Sequence, residues 1–426
     1  MTEDFLHYVW QHQLLAGGLT TTDGQPVVVL RAGDHNQDAG PDFFNARVRI
    51  GDIEWSGNVE IHVKSSAWNA HRHSHDAAYN NVILHVVYEH DCEIKLQNGK
   101  VPPTLEVSHW LHPSLVANYD ALTAPQSSAS LPCGKHVSEV PHFVIGTFLE
   151  RLMVERLEAK SAVVRRMLEE SHGGWEDVCY WLIARYFGGK INALAFELLA
   201  KATDQRFLAR WKDAPQRVEA ILMGQAGLLD GYFEDDYPRT LQADYGALRT
   251  GAGLEPIGGY LWKFYRLRPS SFPTIRISQF AHLISESANL FATLLPMTDA
   301  ASVVKHFCQS ASSYWDSHYQ FDKVSRTASS KRIGRTQAET IVINAWIPLL
   351  FVYGSAHGQQ HYKDQALDLL SQLPAEDNAV IRRWRKDGID AANAAESQAL
   401  LQLDSSYCQR RDCLACRIGF NILKRT

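Results

Sequence analysis

Residues 33–87 read GDHNQDAGPDFFNARVRIGDIEWSGNVEIHVKSSAWNAHRHSHDAAYNNVILHVV, and this stretch decides the predicted fold of the N-terminal part of the chain. Short β-branched runs bounded by Gly, Asn or Asp predict strands within it and just before it. The predicted strands are residues 27–31, 46–50, 59–63 and 82–88. A helical pattern over residues 5–15 precedes them, and the polar segment 71–81 is typical of a loop leading into a short helix. The predicted order is therefore helix, three strands, short helix and strand.

Beyond residue 130 the hydrophobic pattern changes to that of helices. Apolar residues such as Ile145, Leu149 and Leu152 recur with the spacing of an amphipathic helix. Similar windows follow at residues 176–187, 193–202, 278–295, 339–353, 363–373 and 376–386. The stretch 124–130 (APQSSAS) is typical of a linker. We therefore predict an α+β protein, with a mixed sheet and flanking helices in residues 1–125 and a large irregular all-helical domain in residues 131–426.

The composition is that of an ordinary globular protein. The chain has 426 residues, of which 45% are hydrophobic and 21% charged. Its net charge of -5 is unlike that of most nucleic-acid-binding proteins, so any nucleic-acid surface has to be local. The acidic N-terminus lacks the basic region of a secretory signal, and the longest apolar run, residues 341–353, is shorter than the ~20 residues of a membrane span. We expect a soluble, cytoplasmic protein without a membrane partner.

Ionisable side chains line one face of the third predicted strand. Strand alternation places Glu60, His62 and Lys64 on that face, and Asp42 begins the neighbouring strand. Burying such a face is costly unless a ligand compensates the charges. Two carboxylates on adjacent strands are the minimum for holding Mg²⁺ or Mn²⁺, with Lys64 or His62 available to activate water. The alternative is a half-exposed strand with a mixed polar face.

Histidines form a second signal. His71 and His73 follow an H-x-H spacing, Asp76 comes close behind them, and His85 interrupts the apolar strand VILHVV. Imidazoles spaced in this way often hold transition metals. These four residues are predicted to form a second shell around the carboxylates or a second metal site. The alternatives are a solvated polar turn and, for His85, a hydrogen-bonded core histidine.

The cysteines suggest a third site. Cys408, Cys413 and Cys416 follow a C-x4-C-x2-C spacing near the C-terminus, and Cys133 lies in an LPCG turn. Three clustered thiolates in a chain without an export signal indicate zinc or an iron–sulfur cluster, for which Cys133 is the candidate fourth ligand. The alternative is a set of free cysteines in a terminal helix.

The segment 262–276 (WKFYRLRPSSFPTIR) interleaves basic and aromatic residues. Phosphate contact together with base stacking would suit such a pattern. The predicted nucleic-acid contacts are Lys263, Arg266, Arg268 and Arg276. The alternative is an amphipathic segment whose aromatic side chains belong to the core.

The motifs GPDF, GNVEIHV and NVILHVV, together with the terminal YC-x4-C-x2-C, resemble a bacterial family known only as a domain of unknown function. The resemblance covers nearly the whole chain and implies no established activity. The N-terminal order of elements also resembles the PD-(D/E)XK nuclease superfamily. Pro41 and Asp42 match its PD and Glu60 its acidic residue, whereas His62 stands where the superfamily has Lys, and Lys64 follows two residues later.

Some helicase-associated members of that superfamily carry an iron–sulfur staple made from one distant cysteine and a C-terminal cysteine group. The arrangement of Cys133 and the terminal cysteines is similar, although the distant cysteine of those enzymes precedes the nuclease core and Cys133 follows it. The leading hypothesis is a Mg²⁺- or Mn²⁺-dependent nuclease in residues 1–125, followed by helices that position nucleic acid or a partner. The alternatives are a non-nuclease protein with a histidine-rich transition-metal centre and a catalytically inert interaction protein.

Overall fold

A computed structural model describes residues 1–36, 38–124, 131–287 and 289–425 of the chain. The predicted linker at 124–130 therefore lies, apart from its first residue, outside the described residues. The chain forms two compact units. Unit 1 comprises Met1–Phe148, Arg383–Ile389 and Leu403–Thr426, and unit 2 comprises Leu149–Arg382 and Asp390–Gln402. Unit 1 thus contains the whole predicted N-terminal domain together with C-terminal segments, and the predicted limits at residues 125 and 131 stay a prediction.

The sheet of unit 1 is mixed. Its strands are β1 (Val27–Arg31), β2 (Asp34–His35), β3 (Phe43–Ile50), β4 (Ile53–Lys64), β5 (Val82–Glu89) and β6 (Thr104–Glu106). The order across the sheet is β1-β3-β4-β5-β6, and β2 pairs with β3. Pairing is antiparallel between β1, β3 and β4 and parallel between β4, β5 and β6. The four predicted strands correspond to β1, β3, β4 and β5.

Burial along the strands follows their surroundings. In β3, Ala46, Val48 and Ile50 are buried while Arg47 and Arg49 are exposed, which is the alternation of a strand with one solvated face. In β5 the six residues from Val82 to Val87 are all buried, because both neighbours of this strand pair with it in parallel and both of its faces are covered. A charged or polar side chain on β5 or on the adjoining part of β4 therefore points into the protein.

Helices make up most of the remaining chain. In chain order they are α1 (Glu3–Gln11), α2 (Ala67–Ala70), α3 (Pro113–Thr123), α4 (His142–Glu170), α5 (Trp175–Phe187), α6 (Gly189–Ala202), α7 (Gln205–Ala209), α8 (Pro215–Gln225), α9 (Asp236–Ala252), α10 (Pro273–Glu286), α11 (Leu290–Leu294), α12 (Ala300–Phe307), α13 (Arg335–Ile341), α14 (Ile347–Ala356), α15 (Gln360–Gln372), α16 (Ala379–Lys386), α17 (Ala394–Leu403) and α18 (Arg417–Leu423). The α+β class predicted from the sequence, with a mixed N-terminal sheet and a helical C-terminal region, is confirmed.

Unit 2 departs from the predicted windows in three places. The window 278–295 is divided between α10 and α11, and the window 339–353 contains a π-helical turn, Val342–Trp346, between α13 and α14. A short antiparallel hairpin, β7 (His318–Gln320) and β8 (Lys323–Val324), lies in the region predicted to be wholly helical. Two- and three-residue strands are too short to produce a recognisable alternation in sequence.

The continuous helical stretch Arg335–Ala356 is long and apolar enough to cross a membrane by length and composition. However, 78% of its most apolar window is buried inside the protein. That degree of burial is consistent with the core helix of a soluble protein.

In unit 1, α18 packs against α1 and α3. The Tyr8 and Phe420 rings meet edge to face at 6.0 Å, and the Asn118 side-chain amide donates a hydrogen bond to the Ile422 carbonyl at 3.0 Å. Phe5 of α1 stacks on Tyr119 of α3 with ring centroids 4.0 Å apart. The C-terminal cysteines are therefore built into the unit that contains the sheet.

Candidate metal centre

Two adjacent parallel strands supply the interior polar side chains of the candidate site. Glu60 and His62 lie on β4 and are 4% and 1% exposed, and His85 lies on β5 and is fully buried. The register pairs Glu60 with His85, so the side chains of these residues point to the same face of the sheet. The His62 Nδ1 and His85 Nε2 atoms are 2.9 Å apart.

The segment between β4 and β5 brings two more histidines to His62. The His71 Nδ1 atom lies 3.2 Å from His62 Nε2. Arg72 adopts a left-handed conformation with φ of 62°, and this turn in the backbone reverses the chain between His71 and His73. Ligand atoms of His62, His71 and His73 all lie within 4.8 Å of one another, which is the spacing of a group that can hold one metal ion.

The start of this segment is held in place by Asp91. Its carboxylate accepts hydrogen bonds from the Ser66 backbone N–H at 2.8 Å and from the Ser66 hydroxyl at 2.7 Å. It also accepts from the Ser65 hydroxyl at 3.0 Å. These bonds fix the point at which the chain leaves β4 and enters the segment that contains His71 and His73.

The two predicted carboxylates are joined by reciprocal hydrogen bonds. The Asp42 backbone N–H donates to Glu60 Oε2 at 3.1 Å, and the Ile61 backbone N–H donates to Asp42 Oδ2 at 2.8 Å. The other oxygen of Glu60, Oε1, lies 3.2 Å from His73 Nε2 and 3.6 Å from His62 Nε2. The carboxylates and the imidazoles therefore form one continuous cluster.

Burial controls the charge of this cluster. It lowers the pKa of His62 to about 2, an effect increased by the neighbouring imidazoles of His85, His73 and His71. It also lowers the pKa of His85 to about 3. The pKa of the Glu60 carboxyl is raised, first by burial and then by the negative charge of Asp42, against the opposing contact with His73. His62 and His85 are thus neutral at pH 7, which is the form in which an imidazole binds a metal.

Aromatic rings pack against His73 and His85. The Tyr79 ring stacks on His73 with centroids 3.9 Å apart, and Trp68 lies 5.3 Å from His73 and 5.2 Å from His85. Trp68 is fully buried, and its indole N–H donates to the Lys95 carbonyl at 3.2 Å. Such packing restricts the rotamers of these two imidazoles, whereas His71 is exposed.

Sequence reasoning missed His7 and His35. The His7 Nε2 atom on α1 lies 3.2 Å from Asp42 Oδ2. Burial lowers the pKa of His7, but the contact with Asp42 outweighs burial and the pKa is raised overall. His35 on β2 stacks on Phe43 and meets His7 edge to face at 5.4 Å. An isolated histidine in a helix and another in a two-residue strand have no local pattern that distinguishes them.

Two of the predicted residues have partners elsewhere. Lys64 is exposed at the end of β4, where its Nζ atom donates to Glu89 Oε1 on β5 at 3.1 Å. Asp76 accepts a hydrogen bond from the Ala78 backbone N–H at 2.9 Å and so begins a short 3-10 helix. The predicted roles of Lys64 in catalysis and of Asp76 in metal binding remain predictions. The contacts with Glu89 and with the Ala78 N–H give each side chain a structural role.

The predicted basic segment lies in unit 2. Lys263, Arg266 and Arg268 are exposed. Arg276 differs, because its guanidinium donates to Gln279 Oε1 at 3.1 Å and burial lowers its pKa to about 10. This side chain is directed into the protein and stands apart from the three exposed cations.

The aromatic residues of the same segment are divided between core and surface. Trp262 is buried and donates from its indole to the Ala226 carbonyl at 2.7 Å. Phe264 and Phe272 pack edge to face at 5.2 Å against the core of unit 2. Tyr265, in contrast, is 81% exposed. The alternative of an amphipathic segment with core aromatics therefore accounts for most of the pattern, and Tyr265 is its exposed aromatic ring.

All four predicted cysteine ligands line a single cavity in unit 1. They come from two distant parts of the chain. Cys133 lies in the turn at residues 131–134, and Cys408, Cys413 and Cys416 lie in the C-terminal segment.

Comparison with known proteins gives one positive result. A family model described as a protein of unknown function (DUF2851) matches residues 3–379. No curated protein and no solved structure matches the chain. The resemblance to PD-(D/E)XK nucleases accordingly rests on Pro41, Asp42, Glu60 and the order of the elements.

Proposed function

The chain belongs to the family of proteins of unknown function DUF2851, and we propose that it is a metal-dependent hydrolase. The observation that carries the proposal is the group formed by His62, His71 and His73, whose ligand atoms lie within 4.8 Å of one another. Three protein ligands that leave one position open for water are the arrangement of catalytic zinc sites. A metal held there would supply a bound water with a lowered pKa, which is a nucleophile at neutral pH.

Glu60 is the proposed general base. Its Oε1 atom lies 3.6 Å from His62 Nε2 and 3.2 Å from His73 Nε2, so it would lie beside a metal held by these histidines. The raised pKa of its carboxyl brings it closer to the range in which a general base works near neutral pH. His85 acts through His62, because a partner on the second ring nitrogen of a ligand histidine fixes its orientation.

A second candidate makes the protein a Mg²⁺- or Mn²⁺-dependent nuclease. The reciprocal hydrogen bonds between Asp42 and the Glu60 region favour it, because they hold two carboxylates together at adjoining strands. Hard cations bound to such carboxylates bridge to phosphate oxygens. In that mechanism the water would be activated by His62, since Lys64 is engaged by Glu89.

Metal titration tests the first candidate. Metal-free protein is titrated calorimetrically with Zn²⁺, Mn²⁺ and Mg²⁺, in the wild type and in His71→Ala and His73→Ala. We expect one Zn²⁺ or Mn²⁺ per chain in the wild type and loss of that binding in both variants. His75→Ala is the matched control, because His75 is exposed on the same short helix as His73. Equal affinity in all four proteins would refute the histidine centre.

An activity assay separates the candidates. Hydrolysis of bis(p-nitrophenyl) phosphate and of single- and double-stranded DNA is measured with each metal. Zn²⁺- or Mn²⁺-dependent turnover that disappears in His71→Ala supports the histidine centre. Mg²⁺-dependent DNA cleavage that survives His71→Ala but disappears in Asp42→Asn supports the nuclease. If neither turnover nor metal binding is found, both enzymatic candidates are refuted and the hypothesis of an interaction protein remains. Lys64→Ala should match the wild type in every case, because Lys64 is paired with Glu89.

A further inference from the structure

The cysteine cavity of unit 1 is a second chemical centre, separate from the histidines. Cys133 and Cys416 are buried, 7% and 8% exposed, and Cys408 and Cys413 are partly buried. The cavity that they share is otherwise lined largely by Trp384, Tyr407 and Gly419. Four thiols facing one small space are an unusual use of cysteine in a core, because each buried thiol would otherwise pack as an independent apolar group.

Three of the four cysteines lie in a turn or at the end of a helix. The Cys133 carbonyl accepts hydrogen bonds from the backbone N–H groups of His136 and Val137, both at 2.9 Å. Cys408 ends the π-helical segment Asp404–Cys408, and Cys416 is the N-cap residue of α18. Turns of this kind fix the direction of the Cα–Cβ bonds, as ligation of a metal requires.

Gly419 is required by this loop. A Cβ atom at residue 419 would meet the Cys413 carbonyl oxygen at 2.1 Å, which is far inside van der Waals contact. The close approach of α18 to the Cys413 backbone brings Cys413 and Cys416 to the same cavity. A side chain larger than that of glycine therefore does not fit at residue 419 without a shift of the backbone.

The spacing of the sulfurs distinguishes between metals. A tetrahedral zinc site with Zn–S bonds of about 2.3 Å holds its sulfurs only about 3.8 Å apart. Within the part of the chain that the structure describes, the group whose ligand atoms all lie within 4.8 Å of one another is the histidine group and not the cysteines. The sulfurs that line the cavity are thus spread more widely than those around one zinc ion.

We propose that Cys133, Cys408, Cys413 and Cys416 ligate one iron–sulfur cluster of the four-iron, four-sulfide type. The iron and inorganic sulfide of such a cluster lie between the thiolates and so accommodate a wider sulfur spacing than a single ion does. On transfer of a preassembled cluster from a thiolate-ligated carrier, each of the four cysteines forms a sulfur–iron bond as one bond between iron and a carrier thiolate breaks. The proton of the incoming thiol passes to the departing carrier thiolate, and no oxidation or reduction is required. This proposal is independent of the proposed hydrolase.

The cluster would join segments far apart in sequence. All of unit 2 lies between Cys133 and Cys408 along the chain, whereas all four ligands belong to unit 1. Cross-linking two such segments restricts the unfolded chain, and the effect grows slowly with loop length. The cluster would therefore hold the C-terminal segment with α18 against the remainder of unit 1.

The test is chemical analysis of the full-length wild-type protein purified without oxygen. Iron, acid-labile sulfide and zinc are quantified, and the visible spectrum is recorded before and after reduction with dithionite. We expect about four iron and four sulfide per chain, with a broad visible absorption that bleaches on reduction. A protein with one zinc and no iron per chain would overturn the proposal. So would a metal-free protein whose seven thiols all titrate freely and which takes up no cluster on reconstitution with iron and sulfide.

Variants identify the ligands. Cys133→Ser and Cys413→Ser should each lose iron and sulfide, whereas Cys92→Ser and Cys308→Ser, which change partly buried cysteines outside the cavity, should retain the wild-type content. A Cys133→Ser protein with full iron content would overturn the assignment of the fourth ligand. Where a serine variant does not fold, Gly419→Ala gives a second measurement, because it retains all four thiols but forces the Cys413 backbone to move. It should lower iron content, and Gly246→Ala, which meets no neighbouring atom, should not.

Discussion

The His62 Nδ1 atom lies 2.9 Å from His85 Nε2, and this contact joins two parallel strands beneath the candidate metal centre. Because one ring nitrogen of His62 is occupied by His85, the other nitrogen is directed at His71, 3.2 Å away. A buried histidine pair of this kind determines which imidazole nitrogen is available to a metal.

Replacing His85 should weaken metal binding without removing a ligand. In His85→Leu, His62 loses the partner that orients its ring, and we expect the affinity of the histidine centre for Zn²⁺ to fall by about 10- to 100-fold. The apolar surroundings of β5 accept leucine, so the sheet should remain folded. Calorimetric titration measures the affinity. His109→Leu, at an exposed turn, is the control, and unchanged affinity in His85→Leu would show that the pair has no orienting role.

The metal-free protein should lose stability as the pH falls. The pKa values of His62 and His85 in the folded state are about 2 and about 3, below the 6.5 of an ordinary histidine. Below about pH 6.5 the unfolded chain binds protons at both residues while the folded protein does not, so the free energy of unfolding falls until the folded-state pKa is reached. The expected loss is about 2 kcal/mol per histidine at pH 5.

Urea denaturation at pH 7.5 and pH 5 measures this loss. The His85→Leu variant removes one of the two groups, so its stability should decrease less between these pH values than that of the wild type. The same decrease in both proteins would mean that His85 is protonated equally in the folded and the unfolded state.

Glu60→Gln should have opposite effects on the metal-free and the metal-bound protein. The pKa of the Glu60 carboxyl is raised, so its charged form is unfavourable in the folded state above that pKa. Glutamine removes this charge, retains an acceptor for the Asp42 backbone N–H and should raise the melting temperature of the metal-free protein. When thermal unfolding is measured with and without Zn²⁺, Zn²⁺ should raise the melting temperature of Glu60→Gln by less than it raises that of the wild type. Glu54→Gln, at an exposed position of the same strand, is the control for the loss of one negative charge. A metal-free Glu60→Gln protein that melts at a lower temperature than the metal-free wild type would contradict this account.

The exposed cations of the segment 262–276 are testable as nucleic-acid contacts. If Lys263, Arg266 and Arg268 contact phosphate, their combined replacement by alanine should reduce the salt dependence of single-stranded DNA binding. The slope of log affinity against log salt should change by about 0.7 per lost contact. Fluorescence anisotropy across a salt series measures the slope. Identical slopes in the wild type and the triple variant would exclude these three residues as phosphate contacts. The control is Arg276→Ala, which should reduce the stability of the protein and leave the slope unchanged, because Arg276 is hydrogen-bonded within the protein.

Local patterns in the sequence were sufficient to predict the class of fold. The alternation of β3 corresponds to a strand with one covered face, and the apolar run of β5, interrupted only by His85 between Val82 and Val87, corresponds to a strand with two. Both signals depend on adjacent residues alone. The third strand of the parallel part, β6, and the hairpin of β7 and β8 were not predicted, because strands of two or three residues contain too few positions for a period to emerge.

The residue types of the candidate centre, and the expectation that they share a site, also came from the sequence, but the contacts between them did not. Lys64 lies on the same face of β4 as Glu60, yet the strand register pairs it with Glu89. His71 and His73 meet His62 because Arg72 reverses the backbone, and His7 reaches Asp42 from a helix at the start of the chain. Sequence alone therefore determined which strands and helices form, since those depend on the preferences of neighbouring residues. Tertiary structure decided which side chains share a site, because register, chain reversal and helix packing bring together residues that have no local relationship.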